Sequence, residues 1–287
     1  MAKQLIGIIG GSGLYAIDGL KIKEERIVET PFGKPSDAVL MGTLEGKDIA
    51  FLPRHGRGHF IAPHEINYRA NIYAMKLLGV ERIISISAVG SMKEEIHPGD
   101  IVIVDQFIDR TKVRQQTFFS DGIVAHVSFA DPVCPALLEN LSQSARNVGA
   151  KVHRGGTYVC IEGPMFSSRA ESNMYRLWKT DVIGMTNYQE AKLAREAEIC
   201  YATMALSTDY DCWLETEEAV DAMKVVLVMN KNIATAKKIL KDVLPRIPIE
   251  RNCQCACALK NAIVTDKAKL TADVKRRLKP IIGKYVE

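Results

Sequence analysis

Short unbroken apolar runs alternate along the chain with stretches whose apolar residues recur every three or four positions. The runs are Leu5-Ile6-Gly7-Ile8-Ile9, Ile49-Ala50-Phe51-Leu52, Ile83-Ile84-Ser85-Ile86, Ile101-Val102-Ile103-Val104, Tyr158-Val159-Cys160-Ile161 and residues 200–206. Apolar residues at both odd and even positions predict strands covered on both faces. Helices are predicted between them. Ile66, Ile72, Met75 and Leu78 mark one that ends at Gly79, and Ser168 with Glu171 makes a capping-box start for another that runs through Trp178. A third spans Tyr188 to Glu198. Ile233, Ala236, Ile239, Leu240, Val243 and Leu244 trace an amphipathic fourth, ended by Pro245.

Strands alternating with helices place the chain in the α/β class, as one domain whose mixed, mostly parallel central sheet is flanked by helices. With no internal repeat or low-complexity linker, residues 1–248 read as that domain. Residues 249–287 read as a C-terminal extension packed on it. The polar, irregular stretch from Thr111 to Ala125 predicts a loop with a task of its own.

Composition narrows the function classes. Hydrophobic residues make up 47% and charged residues 25% of 287, which excludes disorder, collagen and coiled coil as the main architecture. The 38 Lys+Arg against 34 Asp+Glu leave +4, a weaker basic bias than nucleic-acid binding requires. No apolar run reaches the ~18–20 residues of a membrane span, and the opening MAKQLIGIIGGSG lacks an export pattern. A soluble, cytoplasmic protein without nucleic-acid or membrane partners is expected. Seven cysteines, an odd number, argue against a secreted disulfide framework. Cys253, Cys255 and Cys257 form a C-x-C-x-C run that suits reduced thiols, a disulfide, a redox pair or a soft-metal site. Zinc sites normally add a second ligand pair, and the sequence offers none nearby, so reduced thiols packed near the C-terminal region are the first reading and a disulfide the next.

Four clusters carry chemistry. Gly10-Gly11-Ser12-Gly13 follows an apolar run, and small residues there let backbone N–H groups and a hydroxyl approach an anion. The spacing is neither a dinucleotide fingerprint nor a P-loop. Pro53-Arg54-His55-Gly56-Arg57-Gly58-His59 ends another run, and its Arg and His suit an oxyanion pocket. Ser85 to Ser91 is a third small, hydroxyl-bearing strand end. Together they predict one crevice for a phosphate-sized anion at the strand ends of an open α/β sheet. The fourth, Ser207 to Trp213, contains Asp209 and Asp211. That pair suits a Mg²⁺ site, a base-reading carboxylate pair or an Asp-rich turn, and a desolvated carboxyl there holds a proton near neutrality.

Several segments, in order, resemble the trimeric purine nucleoside phosphorylase family. They are Ile8 to Leu14, Pro53 to Gly56, Asn67 to Asn71, Ala88 to Ser91, His97 to Asp100 and Asp105 to Thr111. Glu162 to Ser172 and Ser207 to Trp213 resemble its S-methyl-5'-thioadenosine phosphorylase branch. The resemblance implies a glycosyltransferase of purine and methionine salvage that uses inorganic phosphate to release adenine and form 5-methylthioribose 1-phosphate. The alternative within the family is a purine, 6-oxopurine or methylthioinosine phosphorylase. No cofactor or metal is implied, and the expected oligomer is a homotrimer or a dimer of trimers. By position Ser12, Arg54, His55, Ser87 and Ala88 hold phosphate; Met185 and Thr186 lie against the ribose; Phe166 stacks near the base. Asp209 and Asp211 bond the N6/N7 edge, with Asp209 the catalytic proton donor. His59 and Val225 border the 5'-methylthio group, and His126 reaches it from a neighbouring subunit. Asn187 to Glu190 departs from the family pattern, which expects a proline there and keeps the Glu. The tail from Ile249 lies outside the match.

Overall fold

A computed structural model describes residues 4–14, 17–214 and 222–286, with side chains except those of Ser12 and residues 222–226. Among the described residues eleven strands form one sheet: β1 (Leu5–Gly10), β2 (Lys21–Arg26), β3 (Val39–Leu44), β4 (Lys47–Pro53), β5 (Arg82–Ser91), β6 (Ile101–Ile103), β7 (Gln106–Asp109), β8 (Val152–Arg154), β9 (Thr157–Cys160), β10 (Val182–Gly184) and β11 (Cys200–Asp209). The α-helices are α1 (Tyr68–Leu77), α2 (Pro135–Asn147), α3 (Arg169–Leu177), α4 (Asn187–Glu196), α5 (Ala222–Arg246) and α6 (Ala272–Val286).

The main strand order is β2-β3-β4-β1-β5-β10-β9-β7, and β5 also pairs β11, which continues through β6 to β8. Pairings of β1 with β4 and β5, of β5 with β11, of β9 with β7 and β10, and of β6 with β8 are parallel; the others are antiparallel. The sheet is therefore mixed and mostly parallel. Residues 82–85 of β5 pair with β1, whereas Gly90 and Ser91 turn away to β10. That divergence opens the sheet where β1, β4, β10 and β11 also end.

Side-chain alternation explains the double covering of the strands. Ile6, Ile8, Ile84, Ile86, Ala202 and Met204 face Leu137, Leu141, Ile239 and Val243 of α2 and α5. Ile9, Ile83 and Tyr201 face Ile72, Ala191 and Leu278 of α1, α4 and α6. Leu259, Ala262, Leu270 and Val274 join this second cluster, so residues after 249 bury apolar surface against the same sheet. Ser168 closes the expected capping box with Glu171 at the start of α3.

Two helix ends differ from the expectation. Glu198 adopts a left-handed backbone (φ 56°), and α4 stops at Glu196. Pro245 lies inside α5, which runs one residue further to Arg246, because the fixed φ of proline is itself helical. Helices α2 and α6 and the short strands β2, β3, β7, β8 and β10 carry no apolar run of their own strong enough to announce them. Among the described residues no helix is long and apolar enough to cross a membrane.

One buried acid gives the fold a pH response. Glu196 accepts from the Phe118 N–H (2.7 Å) and the Thr117 hydroxyl (2.8 Å), yet burial pushes its carboxyl up to about 7. Its folded pKa exceeds the unfolded one, so its contribution is complete below about pH 4.5 and is lost as pH rises through about 7. Denaturant titrations at a series of pH values should show the wild type losing about 3 kcal/mol over that window relative to Glu196→Gln. Parallel curves for the two proteins would refute the burial of a protonated Glu196.

Candidate active site

The ends of β1, β4, β5, β10 and β11 surround a cavity of about 300 Å³. It brings together Arg54, His55 and His59 after β4, Ser87 and Ala88 on β5, Met185 and Thr186 after β10, and Asp209 and Asp211 at the end of β11. Phe166, 57% exposed, also lines it. Gly11 is the glycine of the first cluster that reaches the cavity. A methyl group on its neighbour Gly13 would stand 2.3 Å from Ile233, so that glycine serves packing against α5. The side chains of Ser12 and Val225 lie outside the described residues. Met229, one helical turn beyond Val225, does line the cavity. His126 does not: it is exposed and lines a separate cavity beside Cys253 and Cys255.

Arg54 is buried, and the sequence suggested a fork free for an anion. The fork instead holds Glu190. Nε donates to Oε1 at 2.5 Å and Nη2 to Oε2 at 3.2 Å, while Nη2 also reaches Ser85 Oγ (2.6 Å) and Nη1 the Ile86 carbonyl (2.8 Å). Of the five N–H groups of a guanidinium, one on Nη1 is left over. Glu190 further accepts from Ser85 Oγ (2.7 Å), Tyr201 Oη (3.0 Å) and Asn187 Nδ2 (3.4 Å). Burial opposes the Arg54 charge, but Glu190 outweighs it and the group stays firmly protonated. The arrangement presents a fixed positive end and a single donor to the cavity.

His55 is neutral. Its Nδ1 donates to the Ile61 carbonyl at 2.8 Å, which leaves Nε2 as an acceptor, and burial beside Arg54 holds its pKa at about 4. His59 stacks on it, ring centroids 4.2 Å apart. A neutral acceptor next to a cation suits an anion that still carries a proton. Ser87 Oγ lies 3.4 Å from Thr186 Oγ1, and both hydroxyls belong to buried residues.

The two aspartates form the other half of the chemistry. Asp209 Oδ2 accepts from Thr208 Oγ1 (2.7 Å) and Oδ1 from the Asp211 N–H (2.8 Å). Burial outweighs these bonds and raises its pKa above the ordinary carboxylate range. Asp211 accepts from Ser172 Oγ at 2.5 Å; burial, reinforced by the Asp209 charge, raises it to about 6. A mostly apolar cavity favours the protonated form of both acids, which suits proton donation rather than metal binding. Gly90 packs close beneath them: a methyl there would sit 3.0 Å from Asp209 Oδ1 and from Ile183, so these side chains would have to shift.

Apolar walls come from Val89, Ile161, Ile183, Met185, Pro63 and Met229. Met185 is positioned by Arg114, from the irregular loop that the sequence marked. One buried guanidinium binds the Met185 carbonyl (2.6 Å), Tyr68 Oη (3.0 Å), Gln189 Oε1 (2.9 Å), the Ile161 carbonyl (3.2 Å) and the Glu162 carboxylate (2.8 Å). Sequence reasoning passed over Arg114 and Met229, and it gave Glu190 and Ser85 no role beside Arg54. The Glu noted at 190 was the available signal for the ion pair; a lone Arg in a polar loop gives none.

The cysteines also differ from the expectation. No partner pair stands near the C-x-C-x-C run in sequence, but folding brings Cys134 and Cys200 to Cys253 and Cys255. None of the four lines the cavity above.

Comparison with known proteins follows the geometry. Residues 5–245 match the family model of the phosphorylase superfamily. The S-methyl-5'-thioadenosine phosphorylase of Geobacter sulfurreducens is 59% identical over 285 residues, covering 99% of this chain and 100% of that protein. The protein of that name from Thermofilum pendens is 53% identical over 264 residues, covering 92% and 100%. A methylthioadenosine phosphorylase from an Antarctic soil metagenomic library superposes with a TM-score of 0.93 at 49% identity, covering 98% and 99%. The Schistosoma mansoni methylthioadenosine phosphorylase in complex with adenine gives 0.83 at 35% identity, covering 98% of each chain.

Proposed function

The chain belongs to the phosphorylase superfamily, and from that premise we propose that it splits S-methyl-5'-thioadenosine with inorganic phosphate into adenine and 5-methylthioribose 1-phosphate. The observation that carries this reading is the single cavity in which Arg54 and His55 meet Asp209 and Asp211. Phosphate is the second substrate, and no cofactor or metal takes part.

A phosphate oxygen attacks C1' as the bond from C1' to N9 breaks, with inversion at C1'. The bond electrons pass into adenine, and N7 takes a proton. The ribosyl carries positive charge in the transition state, so an anion beneath C1' and an acid at N7 both lower the barrier. Arg54, held rigid by Glu190, supplies the positive field and one N–H. Neutral His55 accepts from the phosphate hydroxyl through Nε2, and Ser12, Ser87 and the Ala88 backbone complete the anion site. Met185 packs the ribose face beside Thr186, and Phe166 stacks near the base.

Protonated Asp209 donates to N7 while its carbonyl oxygen accepts from the N6 amine. A 6-oxopurine presents an acceptor at that second position, and an unmatched buried acceptor pair costs ~1–3 kcal/mol. Adenine is therefore preferred over hypoxanthine. Asp211 supports this edge, and His59 and Val225 border the methylthio group. The working unit is a homotrimer or a dimer of trimers in the cytoplasm, in which the exposed His126 completes the 5' pocket of a neighbouring subunit. Residues 1–248 constitute the phosphorylase domain and 249–287 an extension packed on it.

Turnover of methylthioadenosine, adenosine, inosine and methylthioinosine, each with and without phosphate, tests the substrate assignment. The expected order places methylthioadenosine first, with kcat/KM for the two 6-oxopurines roughly 10–100-fold or more below their 6-amino counterparts. Preference for inosine or methylthioinosine would reassign the substrate.

A further inference from the structure

Folding assembles four thiols from three separate elements. Cys134 caps the N-terminus of α2, Cys200 is the first residue of β11, and Cys253 and Cys255 belong to the segment after α5. Their sulfurs all lie within 4.8 Å of one another, and Cys200 Sγ is 3.3 Å from Cys253 Sγ. We propose that these four sulfurs form a closed structural site for a soft divalent cation of the zinc class.

Tetrahedral zinc with Zn–S bonds of ~2.3 Å places its sulfurs ~3.8 Å apart, which falls within the observed spread. Paired disulfides would give each sulfur one partner. Here Cys134 has thiol contacts to Cys200, Cys253 and Cys255, and Cys200 also contacts Cys255, so the sulfurs form a shell rather than two pairs. All four are free thiols, three of them buried. Binding Zn²⁺ releases the thiol protons and leaves a dianionic centre. The N-terminal end of α2 at Cys134 offsets part of that charge, and Arg195, Lys260 and Asp131 line the adjoining cavity with Cys253 and Cys255. This cavity, about 770 Å³, gives an ion its route to the sulfurs. With four protein ligands the site has no open position for catalysis. Its effect is to tie residues 253–255 to β11 and α2 across long stretches of chain.

The test uses the full chain, purified under reductant with zinc supplied and excess metal removed. Metal analysis should find about one zinc per chain in the wild type and in Cys257→Ser, whose exposed thiol stands outside the tetrad. The double variant Cys253→Ser/Cys255→Ser should retain less than about a tenth of that. Cobalt substitution of the folded wild type should give thiolate charge-transfer and intense tetrahedral bands, a readout that does not depend on any variant folding. Zinc removal should lower Tm and leave kcat for methylthioadenosine unchanged. Wild type that binds neither zinc nor cobalt under reductant overturns the site. So does mass spectrometry that finds the four cysteines as two disulfides in protein isolated with its thiols trapped.

Discussion

Asp209→Asn lowers the rate of adenine release from methylthioadenosine by roughly 10²–10⁴-fold, the usual contribution of a positioned general acid. The substitution keeps the size of the side chain; its amide oxygen can still accept from the Asp211 N–H, and the Thr208 hydroxyl, which would then face the amide NH2, keeps the Val89 carbonyl as an acceptor, so the fold is expected to survive. The leaving base loses its proton source. Wild-type turnover should also decline as pH climbs through the raised pKa of Asp209, because the deprotonated carboxylate cannot donate. That limb of the pH profile should vanish in the variant. Steady-state rates for both proteins across the pH range provide the check. An Asn variant that keeps the wild-type rate would remove Asp209 from the chemistry.

Glu190→Gln leaves the Arg54 charge buried without its carboxylate. Breaking a buried pair from one side typically costs about 3–5 kcal/mol, because the surviving charge has lost both its partner and its water. The loss should be felt beyond one pair, since Ser85, Tyr201 and Asn187 converge on the same carboxylate. Chemical denaturation should show that drop. Where folded protein is recovered, the KM for phosphate should rise more than that for methylthioadenosine, because Arg54 is no longer held in one orientation. Unchanged stability together with an unchanged phosphate KM would contradict the positioning role assigned to Glu190.

The layout of the site was legible where chemistry and strand ends coincide in the chain. Arg54 with His55, Ser87 with Ala88, and Asp209 with Asp211 each follow an apolar run, and all six line one cavity. Strands buried on both faces announced themselves through unbroken apolar runs. Edge strand β2, wholly exposed and rich in Lys and Glu, could not. What stayed hidden depends on contacts between distant residues. Arg54 and Glu190 are 136 positions apart, and nothing local says that the guanidinium fork points inward. Arg114 in its loop reads as a solvated charge until folding places it against Tyr68 and Met185. The cysteine tetrad is hidden for the same reason: ligand spacing in sequence covers only the Cys253–Cys255 half.

The central claim is that this cavity performs phosphorolysis rather than hydrolysis or binding alone. The most direct measurement follows adenine and phosphorylated sugar together as purified protein is given methylthioadenosine over a series of phosphate concentrations. Adenine release should be saturable in phosphate and negligible without it, with one 5-methylthioribose 1-phosphate formed for each adenine. Adenine release at the same rate without phosphate, or with free methylthioribose as its co-product, would contradict the account.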